Sequence, residues 1–483
     1  MRLAQTVLAF GVGAALLGDL LFQDSGLGLN LFLWLAPVLA AGLGFYYRSG
    51  GRDRRLPWIV ALMLFFVWCL AWRASPFLRF WNVAAIIAAA ILAVTALRCR
   101  LGQAWLPDYV KGAVHLAARI GLGAIEAAAA VWSGGSESAI ASRVRKVGVG
   151  LVLAVPLFVV FASLLAEADP LFEKFLDGIF SWQPSEFLDH AALILVLGWI
   201  ALGWLRLMVA PPGPAGGGQW RLPIALGPIE VGIPLGVLAL LLAAFVGLQS
   251  RYLFGGEAVL RSSGLTYAEF ARRGFFELVT VAALVVPLLY GAQWVLDRTV
   301  RGAVQSFRAL ASLLGVLVAL VMVSALGRMR LYVEAYGLTE ERLYAAVFMI
   351  WIGVVLGWFV LTELRSQQRR FMTGAVVAGF AVLVFLNFLN PDGLVAKVNL
   401  ERGLSGQALD VEYLGQLSAD AVPAVAAAWP HLDSKARCEL RRTLFARAVP
   451  VRDWREWNWG VASAARRVGG LDADDGCEAI PAP

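Results

Sequence analysis

The stretch "RALASLLGVLVALVMVSALG", residues 308–327, carries one charge, Arg308, at its first position and none in the residues that follow. A helix needs about 20 residues to cross the hydrocarbon of a bilayer. Lipid offers no partner to an unpaired amide, so such a run must bond its own backbone as a helix. Similar runs recur along the chain. About eleven spans are predicted, near 4–22, 29–47, 57–72, 82–97, 147–166, 190–210, 229–249, 275–296, 308–327, 343–363 and 371–390. No strand-like alternation accompanies them, so the expected fold is all-α, a polytopic transmembrane helical bundle with a small helical C-terminal appendix.

Composition agrees. Of 483 residues 60% are hydrophobic and only 16% charged, against about 25% charged in soluble proteins. The net charge of +7 reads as an orientation signal, because Lys and Arg gather in short connections. No basic run with interleaved aromatics forms a separate domain, so nucleic acid is not expected as a partner. The amino end, "MRLAQTVLAFGVGAALLGDLLF", reads as a retained first helix, since no small-residue cleavage site follows it.

The connections on one side of the predicted spans carry twice the Lys and Arg of those on the other. "RSGGRDRR" (48–55) is the densest, and "AEADPLFEKFLD" (166–177), on the opposite side, is acidic. The positive-inside bias therefore places the N-terminus in the cytoplasm, and an odd number of spans places the C-terminal tail outside. The expected location is the bacterial cytoplasmic (inner) membrane. Four segments emerge: a four-span region 1–97, a cytoplasmic connection 98–146, a seven-span core 147–404 and a helical tail 405–483 that packs on the membrane part. Within the connection, 109–132 is nearly apolar enough to span. Ionised groups at mid-bilayer cost about 2.5–3.5 kcal/mol on insertion scales, so His115, Arg119 and Glu126 favour a helix lying on the cytoplasmic surface.

Chemistry-bearing motifs are scarce. His115, His190 and His431 are far apart and read as solvated helix ends. There is no metal-ligand spacing, phosphate-binding glycine loop or nucleophile elbow, so neither a cofactor nor a metal is expected and an enzyme is not the favoured reading. Cys438 and Cys477 share the tail, as either a disulfide closing the appendix or two free thiols. Two acids, Asp19 and Glu230, fall inside spans. Each lies within reach of an interface, but Glu230 sits between Pro228 and Pro234, where freed carbonyls neighbour a carboxylate.

Charged stretches also open two spans. In "GLTYAEFARRGFFEL" (264–278), Thr266 and Glu269 form a capping box that starts a helix. Arg272, Arg273 and Glu277 then pair along it. Thr339 repeats the G-L-T start before the tenth span, without the acid three residues on.

These segments, with "LLAEADPLFEKF" (164–175), "YAEFARRGFFELV" (267–279), "RMRLYVEAYGLTEERLYA" (328–345), "NFLNPDGLVAKVNLERG" (387–403), "LDVEYLGQLSADAVPA" (409–424) and "DWREWN" (453–458), give the chain its resemblance. It resembles bacterial polytopic membrane proteins catalogued as domain of unknown function 4173, over most of residues 147–460, with the first four spans as the variable part. The resemblance implies a membrane location and a shared architecture and supplies no substrate. All six stretches fall on the side predicted to be extracytoplasmic. Glu167, Asp169, Arg272, Arg273, Arg330, Tyr332, Glu334 and Asn390 read there either as one outer-face site or as ion pairs that bind the loops into a rigid cap. The expected function is a transporter or exporter component with an outer polar vestibule and Glu230 as coupling residue. The alternative is a membrane-embedded sensor or assembly partner whose cap and tail bind another envelope protein. Beyond the lipid bilayer and such a partner, no small-molecule substrate is indicated.

Overall fold

The computed structural model describes residues 2–132, 165, 169, 184–211, 213, 225–254, 275–449 and 453–471. Apart from Leu165, the predicted 147–166 span lies outside them, as do Pro156 and the Thr266 capping box. The chain is all-α among these residues. The long helices are α1 (Arg2–Phe22), α2 (Leu29–Arg48), α3 (Leu56–Trp72), α4 (Pro76–Arg98), α5 (Leu106–Trp132), α6 (Pro184–Val209), α7 (Pro228–Phe254), α8 (Phe275–Val295), α9 (Ala303–Tyr336), α10 (Glu340–Leu364) and α11 (Phe371–Leu389). Shorter ones follow: α12 (Pro391–Leu404), α13 (Val411–Gln416), α14 (Val422–Ala428), α15 (Ser434–Arg442) and α16 (Trp459–Val468). Nine helices among the described residues are long and apolar enough to cross a membrane, and α3 is a shorter apolar helix. Every predicted span within the described residues is a helix. Pro37, Pro234 and Pro287 lie inside helices.

The chain divides into two compact units, cut elsewhere than the four sequence segments. The first comprises Met1–Cys99, Asp108–Ala215 and Pro450–Ala462. Here α1 and α6 touch through small residues. A Cβ on Gly11 would meet Leu202 at 2.1 Å, one on Gly198 would meet Ala15 at 2.9 Å, and one on Gly18 would meet Leu197 at 2.4 Å. Residue numbers rise on one helix as they fall on the other, so the two run antiparallel. Without a hydrophobic force between helices in lipid, such close approach supplies the association energy. The α1–α2 turn is held by Asn30, fully buried. Its Nδ2 donates to the Leu21 and Gly26 carbonyls and its Oδ1 accepts from the Gly28 and Leu31 amides.

Helix α5 keeps close to the C-terminal ends of α4 and α6. Gly112 lies against Thr95, three residues before the end of α4, and Gly123 against Gly203, six residues before the end of α6. At 1.5 Å per residue these contacts sit about 5 and 9 Å from the helix ends. Trp199, further back in α6, also donates its ring N–H to the Gly121 carbonyl at 3.2 Å.

The segment "DWREWN" (453–458) closes this unit from the tail. Arg455 Nη1 donates to the Leu20 carbonyl at 2.8 Å, and Asn458 Nδ2 donates to Leu70 O at 3.1 Å and Arg73 O at 3.0 Å. The Leu29 amide donates to Trp457 O at 3.0 Å, and the Gly26 amide to Glu456 Oε1 at 2.6 Å. The carbonyls it reaches lie at or just beyond the C-terminal ends of α1 and α3, where carbonyls have no partner within their own helix. The tail segment thus lies at the end of α1 opposite to the N-terminus.

The second unit comprises Arg100–Pro107, Gly216–Val449 and Ser463–Pro483. Its core lies among α7–α11, where Phe307, Phe359, Leu289 and Val318 are almost fully buried. Phe359 meets Phe371 edge-on, with centroids 5.1 Å apart. With 34 residues, α9 is about 51 Å long, well beyond the roughly 30 Å hydrocarbon. The sequence reading ends this span at 327. Instead "RMRLYVEAY" (328–336) continues the same helix, because a helix leaving lipid needs no break when its last turns carry charge.

Asn458→Ala leaves the Leu70 and Arg73 carbonyls without their donor at a buried position. Losing a buried hydrogen-bond partner costs about 1–3 kcal/mol. The expected result is a thermal midpoint several degrees lower in detergent; an unchanged midpoint would show that the tail segment does not anchor these helix ends.

Candidate functional site

Three of the quoted stretches meet at one end of the second unit, where α9 hands over to α10. The connection is Gly337, Leu338 and Thr339. Gly337 has φ +82°, the left-handed conformation that ends helices at little cost only for glycine. Asn399 of α12 grips Leu338 from both sides, accepting from its amide at 2.9 Å and donating to its carbonyl at 2.7 Å. Arg402, one turn on, donates to the carbonyls of Val333, Glu334 and Ala335, which satisfies the last turn of α9. Thr339 caps α10, its hydroxyl accepting from the Arg342 amide at 3.4 Å.

Two acids stand at this junction, each in the first turn of a helix, where the macrodipole favours negative charge. Glu340 opens α10 and Asp392 is the second residue of α12. Their carboxyl groups stand close enough to repel each other. Carboxylates are acceptors only, so neither can satisfy the other while both are ionised. Asp392 is 1% exposed. Its Oδ2 accepts from the Ser418 amide at 3.1 Å, and among the described residues no N–H or hydroxyl donates to its buried Oδ1. The Glu340 amide donates to the Tyr413 hydroxyl at 2.7 Å. Burial, reinforced by the Glu340 and Asp392 carboxyls, pushes the Tyr413 phenol up to about 12. Beside the pair, the Arg342 guanidinium lies 4.0 Å over the Tyr332 ring and donates to Gly337 O.

Four of the eight predicted outer-face residues belong to this end. Tyr332 is held by Arg342. Arg330 and Glu334 pair with each other at 2.8 Å on an exposed face, a contact worth little. Asn390, with φ +52°, caps α12 by accepting from the Gly393 amide at 3.3 Å and donates to Asp420 O at 3.1 Å. Asp169 is exposed and belongs to the other unit. Glu167, Arg272 and Arg273 lie outside the described residues.

The two intramembrane acids lie elsewhere. Asp19 accepts from His190 Nδ1 at 2.8 Å, joining α1 to α6. His190 is therefore a hydrogen-bond partner of Asp19. His115 likewise contacts Arg98 Nη1 and the Lys111 carbonyl. Glu230 is exposed in the first turn of α7, its carboxylate folded over Gly227. Among the described residues Cys69 and Cys99 are free and Cys438 is disulfide-bonded; Cys477 lies outside them. No group of three or more His, Cys, Asp or Glu suited to a metal occurs among the described residues.

The family model described as Domain of unknown function (DUF4153) matches residues 59–428, more than three-quarters of the chain. The chain belongs to that family. Its number replaces the 4173 of the sequence resemblance, while the unknown-function character holds. The match begins inside α3, so it covers the third and fourth spans as well as the core. It ends at α14, leaving "DWREWN" beyond it. All of the junction from Gly337 to Ser418 lies within the match. Neither a curated protein nor a solved structure matches the chain.

Glu340, Asp392, Asn399, Arg402 and Tyr413 were not singled out in the sequence reading, although each lies in a quoted stretch. A signal existed for Asp392, since an acid following Asn-Pro just after an apolar run marks the first turn of a new helix. Its pairing with Glu340, 52 positions earlier in the numbering, has no local signal.

Tyr413→Phe removes the acceptor of the Glu340 amide and should cost about 1–3 kcal/mol, read as a lower thermal midpoint. Because the folded phenol ionises above the ordinary value near 10, its contribution is present below pH 10 and is lost as pH rises towards 12. An alkaline titration followed by tyrosinate absorption should therefore lose its last-ionising tyrosine in this variant; an unaltered titration would disprove the burial of this hydroxyl.

Proposed function

We propose that this integral membrane protein is a proton-exchanging transporter or exporter component of the bacterial cytoplasmic membrane, with the Glu340–Asp392 pair as the group that takes up and releases the proton. The observation that carries this reading is the close approach of two carboxyl groups, one of them 1% exposed, at the end of a bundle of apolar helices. Two carboxyl groups packed together repel when both are ionised and so favour taking up a proton, and ionisable residues inside membrane proteins mark ion and proton pathways. The Arg342–Tyr332 stack beside it forms part of the wall of an outer vestibule. Coupling is assigned to the pair rather than to Glu230, which stands exposed at a helix start.

The orientation proposed is N-terminus cytoplasmic and tail extracytoplasmic. It is supported by the excess of Lys and Arg on one side, by the tail segment lying at the far end of α1 from the N-terminus, and by a disulfide-bonded Cys438, since disulfides persist outside the reducing cytoplasm.

In vesicles loaded with a pH-sensitive dye, an imposed pH step should drive proton entry faster through the wild type than through protein-free membranes. The double variant Glu340→Gln, Asp392→Asn should fall to the protein-free rate, while Glu230→Gln keeps the wild-type rate. Equal rates for the double variant and the wild type would rule the pair out. Orientation is checked separately. A cysteine at exposed Gln407 should react with a membrane-impermeant maleimide on intact spheroplasts, and one at exposed Arg365 only after lysis; the reverse pattern inverts the topology.

A further inference from the structure

At the other end of α9 and α10, away from the acid pair, the second unit carries a groove and a charge cluster that no step above uses. The groove, about 440 Å³, runs between the two helices and is lined by Ser312, Ala319 and Leu326 on one side and Gly353, Gly357 and Leu361 on the other. Apart from the Ser312 hydroxyl its lining side chains are apolar. A Cβ at Gly357 would meet nothing within 4 Å, so the groove is open there. Val316 and Val323 along it are 59% and 67% exposed, so it faces outward, towards the hydrocarbon. From Ser312 to Leu326 it spans about 21 Å of helix, more than half of the roughly 30 Å hydrocarbon thickness.

Its mouth is strongly basic. Arg308 lies one turn before Ser312 and Arg365 one turn after Leu361, each on the groove's face of its helix. Arg298, Arg301, Arg369 and Arg370 surround them in the adjoining connections, and of these six only Arg308 is less than exposed. The acids nearby are engaged. Glu363, 1% exposed, accepts from Gln293 Nε2 at 2.8 Å and lies 3.6 Å from Arg298 and 3.9 Å from Arg308. Asp297 accepts from the Thr299 hydroxyl and amide. Arg308 also donates to the Ser366 hydroxyl at 2.6 Å, which fixes one guanidinium at the groove's foot.

We propose that this is a binding site for one anionic phospholipid, its acyl chain in the α9–α10 groove and its phosphate among the arginines at the mouth. An apolar slot as long as one leaflet, ending in unneutralised guanidinium groups, has the charge and shape of that ligand. Arginine suits the phosphate because its planar fork matches two oxygens at once. A second copy docked by the same face would bring one arginine cluster against another, which like-charge repulsion opposes. The arginines stand where the positive-inside bias also places the leaflet richest in anionic lipid.

The test is native mass spectrometry of the full chain in detergent, titrated with dioleoyl phosphatidylglycerol and, separately, dioleoyl phosphatidylcholine. The expected result is retention of the anionic lipid at concentrations where the zwitterionic one is lost. Arg365→Gln and Arg369→Gln, which leave the Glu363 contacts intact, should each weaken phosphatidylglycerol about fivefold. Gly357→Leu fills the open groove and should displace the lipid, with elution volume and thermal midpoint reporting that the fold is kept. Equal retention of the two lipids overturns the proposal. So does a Gly357→Leu variant that binds phosphatidylglycerol like the wild type, or one that splits a dimer and so reveals a second copy as the occupant.

Discussion

The last carbonyls of a helix have no donor within it, and in a bundle of membrane helices every end raises the same demand at the edge of lipid. Here a large part of it is met by side chains from the last quarter of the chain. Arg402 satisfies the end of α9, Asn458 reaches Leu70 and Arg73 at the end of α3, and Arg455 reaches Leu20 in α1. The groups are planar and carry several donors, so a single residue serves two or three carbonyls. A lysine, with one point charge on a flexible stem, does this less well. The appendix therefore supplies caps to helix ends beside an apolar cluster of its own, in which Leu414, Val425, Leu440 and Leu444 are fully buried and Trp429 stacks on Phe445.

That role also explains what was legible in the sequence. The apolar runs identified the helices, because in lipid the run length and the need for internal backbone pairing leave a single solution. Span ends were less legible. "RMRLYVEAY" reads as a connection by its charge, yet it is the last part of α9, since charge marks departure from lipid and not the end of a helix. The G-L-T at 337–339 drew notice as a possible repeat of 264–266, but its three residues have separate local tasks: glycine to leave α9, leucine to be clamped by Asn399, threonine to cap α10.

The site was legible as a region and not as a constellation. Tyr332 and Asn390 lie at the junction, but they serve it structurally, one as the surface under Arg342 and the other as a cap. The acids that carry the proposed chemistry were passed over because each alone is an ordinary first-turn carboxylate. Their significance is created by packing, which brings the first turns of α10 and α12 together. Sequence spacing holds no record of such a meeting. By contrast Asp19, an acid in a span, looked exceptional by itself and is hydrogen-bonded to His190 of α6.

The same logic separates the two ends of the α9–α10 pair. At one end, acids and amides are turned inward and nearly every group has a protein partner, leaving one buried carboxyl oxygen facing another carboxyl. At the other, one buried carboxylate is approached by Arg298 and Arg308 and outnumbered by further exposed arginines, beside an apolar groove open to the outside. Charge turned inward in a closed cluster controls the state of the protein itself. Charge turned outward at the edge of lipid is left for something the protein does not supply. Exposed guanidinium groups are solvated and screened on their own; what a lipid phosphate adds at the foot of the proposed groove is a two-oxygen partner matched to the planar fork.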